Sequence, residues 1–377
     1  MNFKQMMQEM QNRRASDLHL RVGIRPMVRV DGKLLSVDDN IILHDDMDKI
    51  LSQILSDEQK EKFLKKREMD LALSISKMGR FRINLYKQRG TVGIAIRQVN
   101  TNVPGFEELN LPEIVKTIAN NKRGLVIVTG TTGSGKSTTL ASMVEHINNS
   151  RHDNILTIED PIEYIYRDKK SIISQREVGG DTENFASALK HAFRQDPDIV
   201  LIGEIRDVET MNIALTAADT GHLVLTTLHT MNAVETLSRI ISFFPPHQHQ
   251  QVRLLLAGTL KSIICQRLLP RSDGPGRVPA VEVLISTGSI REALIDPDKT
   301  MSIPDYIEQG AVQYGMQSFD QAIRNLYRDG TITYEEAMAQ CSNPDYFDLR
   351  VKGITSASDR GWSEFSDGAK PSEDLSF

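Results

Sequence analysis

At 377 residues the chain has room for two domains of ordinary size, and 40% hydrophobic with 25% charged residues places it among soluble globular proteins. A formal net charge of −5 gives no global pull toward nucleic acid. The only cysteines, Cys265 and Cys341, are too few for a metal-ligand cluster; both fall in segments that read as helices, so reduced, packed thiols are expected. The opening Met1-Asn-Phe-Lys-Gln-Met-Met lacks the apolar centre of a signal peptide, and no apolar run is long enough to span a bilayer. A cytoplasmic protein is therefore expected, one that reaches a membrane only through a partner.

Phe3, Met6, Met7 and Met10 fall at helical spacing and predict a short amphipathic helix whose methionines are core. Asp17–Val22 and Met27–Leu35 read as strands, the latter folded at an Asp31-Gly32 turn. Spaced Ile, Leu and Phe between His44 and Lys66 suggest two helices. Three alternating segments follow, at Met69–Leu73, Gly79–Tyr86 and Thr91–Arg97. Residues 1–100 thus predict a mixed α/β domain with a mostly antiparallel sheet.

Thr101–Pro112 carries two prolines and a glycine and reads as a linker. Beyond it, over 113–355, strand and helix patterns alternate as in a parallel sheet covered on both faces, with candidate strands Gly124–Thr129, Asn154–Ile158, Asp198–Ile202 and His222–Thr227. After Pro246 the chain reads as largely helical, with Val278–Ile285 as one late strand. Residues 356–377, rich in Ser, Asp, Glu and Gly, are expected to be disordered.

The apolar run Leu125–Val128 empties into Gly130-Thr131-Thr132-Gly133-Ser134-Gly135-Lys136-Ser137-Thr138, and a helix-like segment follows. The spacing G-x-x-x-x-G-K-[ST] between a strand and a helix is that of a P-loop, whose inward N–H groups and helix N-terminus bind phosphates. Lys136 would supply a point charge to the β- and γ-phosphates of ATP, and Ser137 a hydroxyl ligand for Mg²⁺. A second apolar strand ends in Gly203-Glu204-Ile205-Arg206, where Glu204 could polarise a water; the alternative is that it only pairs with Arg206 or caps the next helix. Glu159 and Glu163 follow a third strand and are either functional or solvent-facing. His222 and His229 bracket a central strand and could sense a γ-phosphate or simply be structural. Arg80, Arg82 and Arg97 alternate with apolar residues, as solvated strand charges or as arginines reaching a nucleotide on a neighbouring subunit.

At these residues the sequence resembles the secretion and pilus ATPases of the type II secretion and type IV pilus kind, and within them the PilT/PilU retraction motors. Gly130–Ser137 stands as Walker A, Thr157–Glu163 as the acidic box, Asp198–Glu204 as an atypical Walker B and Thr220–His229 as the histidine box, all behind Ser16-Asp17-Leu18-His19. The resemblance implies a PAS-like N-terminal domain and a RecA-like ATPase domain in a homohexamer, with ATP and Mg²⁺ at subunit junctions. It implies that Glu204 is the catalytic carboxylate, that Glu159 and Glu163 support metal and water, and that His229 senses the γ-phosphate. Arg82 and Arg97 would come to the nucleotide from an N-terminal domain. It further implies an integral membrane pilus platform protein (PilC-like) as partner, allows a paralogous retraction ATPase as a second, and implies a place at the inner-membrane base of the pilus machine, without nucleic acid or membrane insertion. Assembly-type relatives carry an added N-terminal region and a four-cysteine zinc motif, neither found here, which points to retraction. Around Ser289–Lys299 the chain keeps Ile290, Arg291, Leu294 and Ile295 of an A-I-R-N-L-I-R stretch with altered spacing, and its last helical segments look nearer to PilU. Two rivals stay open: a RecA-like nucleic-acid translocase and a regulator that binds ATP without doing work.

Overall fold

The computed structural model describes residues 2–351 apart from Asp31 and Lys77, so the Asp31 turn position and the 356–377 tail lie outside the described residues. The chain divides into two compact units, one of residues 1–103 with 156–195 and the other of 104–155 with 196–377.

In the first unit, α1 (Phe3–Asn12) buries Phe3, Met6, Met7 and Met10 and is closed at its start by a capping box between Asn2 and Gln5. There follow β1 (Asp17–Arg21), β2 (Met27–Val30), β3 (Lys33–Ser36), α2 (His44–Ile54), α3 (Asp57–Lys66), β4 (Glu68–Ile75), β5 (Gly79–Gln88) and β6 (Thr91–Gln98). The six strands form a sheet of order β3-β2-β1-β6-β5-β4 with antiparallel pairing throughout. Strand alternation sends Leu18, Leu20, Ile83, Leu85, Ile94 and Ile96 into the core with the α1 methionines. The opposite face carries Asp17, Arg82 and Arg97. Gly93 has no Cβ because the Tyr86 ring occupies that space: a Cβ there would lie 2.5 Å from the ring.

The second unit begins with α4 (Ile114–Ala119), β7 (Gly124–Thr129) and α5 (Lys136–Ser150), then enters β8 (Asn154–Glu159). The boundary between units falls inside β8, after Ile155. The rest of β8, its neighbour β9 (Ile172–Glu177) and α6 (Phe185–Ala192) group with the first unit. The chain continues through β10 (Ile199–Ile202), α7 (Val208–Asp219), β11 (Leu223–Leu228), α8 (Ala233–Ser242), α9 (His249–Thr259), β12 (Leu260–Pro270) and β13 (Arg277–Ile285). Here the strand order is β13-β12-β7-β11-β10, with β10, β11, β7 and β12 parallel and β13 antiparallel. The start of β8 adjoins β10, where the Asp198 N–H donates to the Asn154 carbonyl at 2.9 Å. Every residue of β7, β10 and β11 is buried, as a parallel sheet covered on both faces requires.

The stretch after α9 departs from the sequence reading. Leu260–Pro270, expected to be helical, is strand β12, and Cys265 is a buried strand residue rather than a helical one. Burial pushes its thiol well above the usual range, so it packs as a small hydrophobe. Cys341 does close a helix, as the C-cap of Tyr334–Gln340. Between Leu260 and Ser262 the pairing with β7 shifts by one residue, leaving Lys261 as a bulge whose side chain lies over Gly124; a Cβ at Gly124 would meet it at 2.6 Å. Past the bulge, Gln266 points to α5 and exchanges hydrogen bonds with the Thr139 hydroxyl. Arg267 points the other way, donating to the Gln340 carbonyl at 2.8 Å with its guanidinium 4.0 Å from the centre of the Phe319 ring.

The C-terminal part is helical: α10 (Gly288–Ile295), α11 (Ile303–Gln309), α12 (Ala311–Tyr314), α13 (Phe319–Arg328), α14 (Tyr334–Gln340) and α15 (Pro344–Val351). Ile290 and Leu294 of the altered A-I-R-N-L-I-R stretch are core residues of α10, and Arg291 is exposed. Among the described residues no helix is long and apolar enough to cross a membrane.

Candidate active site

In the second unit β7 lies between β11 and β12, both later in the chain, so connections part at its C-terminal end, where open α/β sheets take their ligands. The loop that begins there turns on glycines. Gly133 and Gly135 sit at φ +79° and +93°, a region side chains avoid. At Gly130 a Cβ would lie 2.4 Å from the Gln266 carbonyl and 2.5 Å from the Ser134 hydroxyl, so only glycine fits. The loop delivers the chain into α5, whose first N–H groups have no partner within the helix.

Lys136 is buried and its ammonium donates to the Gly130 carbonyl at 2.8 Å and the Thr131 carbonyl at 3.0 Å. Burial lowers its pKa and the charge of Glu204 opposes that shift. An ammonium has three N–H donors, so one remains for a phosphate oxygen. The buried Ser134 hydroxyl has no partner either, and Thr131, Thr132, Gly133 and Ser137 are exposed on the loop and first turn. These groups fit a polyphosphate, and the exposed Ser137 hydroxyl is an oxygen donor of the kind Mg²⁺ prefers. Thr138 follows on the same turn and is half-buried.

Glu204 stands just past β10, with its side chain 14% exposed. It forms an ion pair with Arg206, and His229 Nε2 lies 3.4 Å from its second oxygen. The Thr227 hydroxyl donates to the Gly203 carbonyl at 2.6 Å and so fixes the backbone just before it. Asp207, not Glu204, caps the next helix, through the Thr210 N–H at 2.8 Å. Lys136, Glu204 and His229 are thus brought together at the C-terminal edge of the sheet. His222 is not. It precedes β11, with its carbonyl accepting from the Gly124 N–H, and seven steps along β11 at about 3.3 Å each set it roughly 23 Å from His229. Within one chain the two histidines lie too far apart to meet at one phosphate, which favours the structural reading for His222. His222 instead lies just past the Thr220 cap of α7, its ring against the Ala217 carbonyl.

The acidic box and the arginines belong to the first unit. Glu159 is buried; its carboxylate accepts from the Thr157 hydroxyl at 2.7 Å and Gln175 Nε2 at 3.2 Å, and burial raises its pKa above the usual value against those bonds. Glu163 is exposed. A carboxyl with a folded-state pKa above its unfolded value stabilises the fold at low pH and loses that contribution as pH rises through the folded value. Glu159→Gln keeps the acceptor oxygen without the charge. It is expected to melt progressively above wild type as pH is raised from about 5 to about 8. Thermal melts across that range test this, and a pH-independent difference would show that burial does not hold the proton on. Arg80 is taken up by Glu177 at 3.1 Å, whereas Arg82 and Arg97 face each other across β5 and β6.

Two contributors had only faint sequence signals. Gln266 is a lone amide in an apolar run, and Thr227 is one of two adjacent strand threonines. Their roles depend on pairings made by distant strands.

Residues 2–293 match the family of type II/IV secretion system proteins. The chain is 41% identical to the type IV pilus ATPase PilU of Pseudomonas aeruginosa over 93% of its own length and 92% of the relative's. It is 42% identical to the type IV pilus retraction ATPase PilT of the same organism, over 88% and 96% of the two chains. A crystal structure of the pilus retraction motor PilT with bound ADP superposes with a TM-score of 0.85 at 41% identity, covering 92% of this chain and 98% of that one.

Proposed function

The chain belongs to the type II/IV secretion system protein family, and on that premise we propose that it is an ATPase motor powering type IV pilus retraction. The observation that carries this reading is the convergence of the P-loop ammonium, Glu204 and His229 at one sheet edge. Loop residues Gly130–Thr138 hold the polyphosphate, with Lys136 giving its remaining N–H to a phosphate oxygen. Ser137 would hold Mg²⁺, which supplies charge neutralisation on the phosphates when bound. Glu204, with its backbone pinned by Thr227, orients the attacking water and accepts its proton. His229 touches Glu204 and can pass the presence of the terminal phosphate to it. The family resemblance assigns Glu159 and Glu163 to metal and water, and Arg82 and Arg97 to a nucleotide bound by a neighbouring subunit in a hexamer. Rigid units turning about the 101–112 linker would carry the stroke to an integral membrane platform protein at the cytoplasmic base of the pilus machine. An accessory, PilU-like role is the second reading, favoured by comparable identity to PilU over nearly the whole chain.

Steady-state hydrolysis of Mg-ATP per subunit, measured across protein concentration, tests the shared site. Specific activity is expected to climb steeply and then level as subunits assemble. A flat profile, with the protein monomeric by sizing at the lowest concentration, would overturn the ring-junction reading.

A further inference from the structure

On the open face of the N-terminal sheet, strand register sets five residues in one row. From β2 to β4 they are Arg29, Asp17, Arg97, Arg82 and Ala72. Three guanidinium groups thus stand in a row with one carboxylate, which contacts Arg97 and Arg29. Arg97 and Arg82 stand directly opposite each other, a placement that costs stability for like charges. Ala72, on the far side of Arg82, offers no compensation.

Asp17 grips Arg97 in a particular way. Its Oδ1 accepts from Arg97 Nε at 2.8 Å, while the Ser16 hydroxyl holds Oδ2 at 2.8 Å and Arg29 Nε lies 3.9 Å away. The carboxylate is 10% exposed and the Arg97 side chain 64%. Burial acts to protonate Asp17, but the bonds from Arg97 and Ser16 outweigh it and hold the carboxyl below its usual range, so it stays charged. A guanidinium bonded only through Nε keeps both terminal amino groups free, the fork that binds phosphate oxygens. Arg82 adds a second cation beside it, and the row keeps two positive charges that a multiply charged anion would neutralise.

We infer that Asp17 is a positioning residue for the reaction: it holds Arg97 by Nε so that the terminal amino groups face the terminal phosphate of ATP on a neighbouring subunit. This rests on the proposed contribution of Arg97 in trans. Asp17 touches neither substrate nor water; it acts through Arg97 alone. Without its charge the Arg97 fork loses its tether and is repelled by Arg82.

The test compares Asp17→Asn, Arg97→Ala and the double variant in the full-length assembled protein, reading kcat and KM for ATP, ADP affinity and melting temperature. Asp17→Asn is expected to lower kcat roughly tenfold to a hundredfold. KM and ADP affinity should stay within about twofold, and the same change in the Arg97→Ala background should cost nothing further. Equal loss of kcat in both backgrounds would overturn the inference, since a purely structural Asp17 acts whether or not Arg97 is present. If Arg97→Ala impairs turnover and Asp17→Asn does not, the positioning role fails alone; if Arg97→Ala turns over normally, the trans-arginine reading fails with it. Should Asp17→Asn not assemble, Asp17→Glu is read the same way, its longer arm displacing the fork: reduced kcat at unchanged KM upholds the role, and unchanged kcat overturns it.

Discussion

Glu204→Gln is expected to bind ATP about as well as wild type and to hydrolyse it at least about a hundredfold more slowly, the usual worth of a positioned general base. The amide keeps the shape of the carboxylate and one acceptor for Arg206, so the segment after β10 should hold its place. What it loses is the negative charge that would take the proton from water. That charge also supports the Lys136 ammonium against burial. ATP affinity measured by equilibrium binding, beside single-turnover hydrolysis, separates the effects. If binding falls as far as turnover, Glu204 is holding the loop rather than acting on water, and the catalytic assignment is wrong.

Lys136→Ala removes the cation at the centre of the loop and should weaken ATP binding by at least about a hundredfold, near 3 kcal/mol. A charge-assisted bond to phosphate accounts for most of that, and the Gly130 and Thr131 carbonyls left behind face the ligand without a donor. The fold should survive. Burial already disfavours the ammonium, so its removal relieves a desolvation cost while it deletes two hydrogen bonds. A melting temperature near wild type with lost nucleotide affinity is the expected pattern. Wild-type hydrolysis by this variant would overturn the whole phosphate-site assignment.

The two variants probe parts of the site that were legible to different degrees. The P-loop is written in nine consecutive residues between an apolar run and a helix, and the helical spacing of Phe3, Met6, Met7 and Met10 in α1 is equally local. Glu204 could be placed at a strand end by the same logic. Its partners were harder: Arg206 is adjacent in sequence, but contact with His229 depends on β10 and β11 lying side by side. The separation of His222 from His229 follows from strand rise alone and was readable in principle. Strand β12 reads as a helix in sequence because Leu260–Leu269 follows α9 without a proline or glycine inside it, and Leu260, Ile263, Ile264 and Leu268 fall at the helical spacing i, i+3, i+4 and i+8. Pairing with β7 on one side and β13 on the other decides the matter, and both are long-range. The tie between Asp17 and Arg97, 80 residues apart, left no trace in local pattern.

The bulge at Lys261 sets the phase of everything downstream on β12. Side chains on a strand alternate, so one residue more or less exchanges the two faces. With Lys261 looped out over Gly124, Gln266 falls under the P-loop helix and Arg267 among the C-terminal helices. Were Lys261 paired with Val126 instead of looped out, every later residue would sit one position along and on the other face, and the amide and the guanidinium would both leave their partners. Gly124, at the opposite end of β7 from the phosphate loop, thus makes room for the lysine that decides which side chain supports that loop.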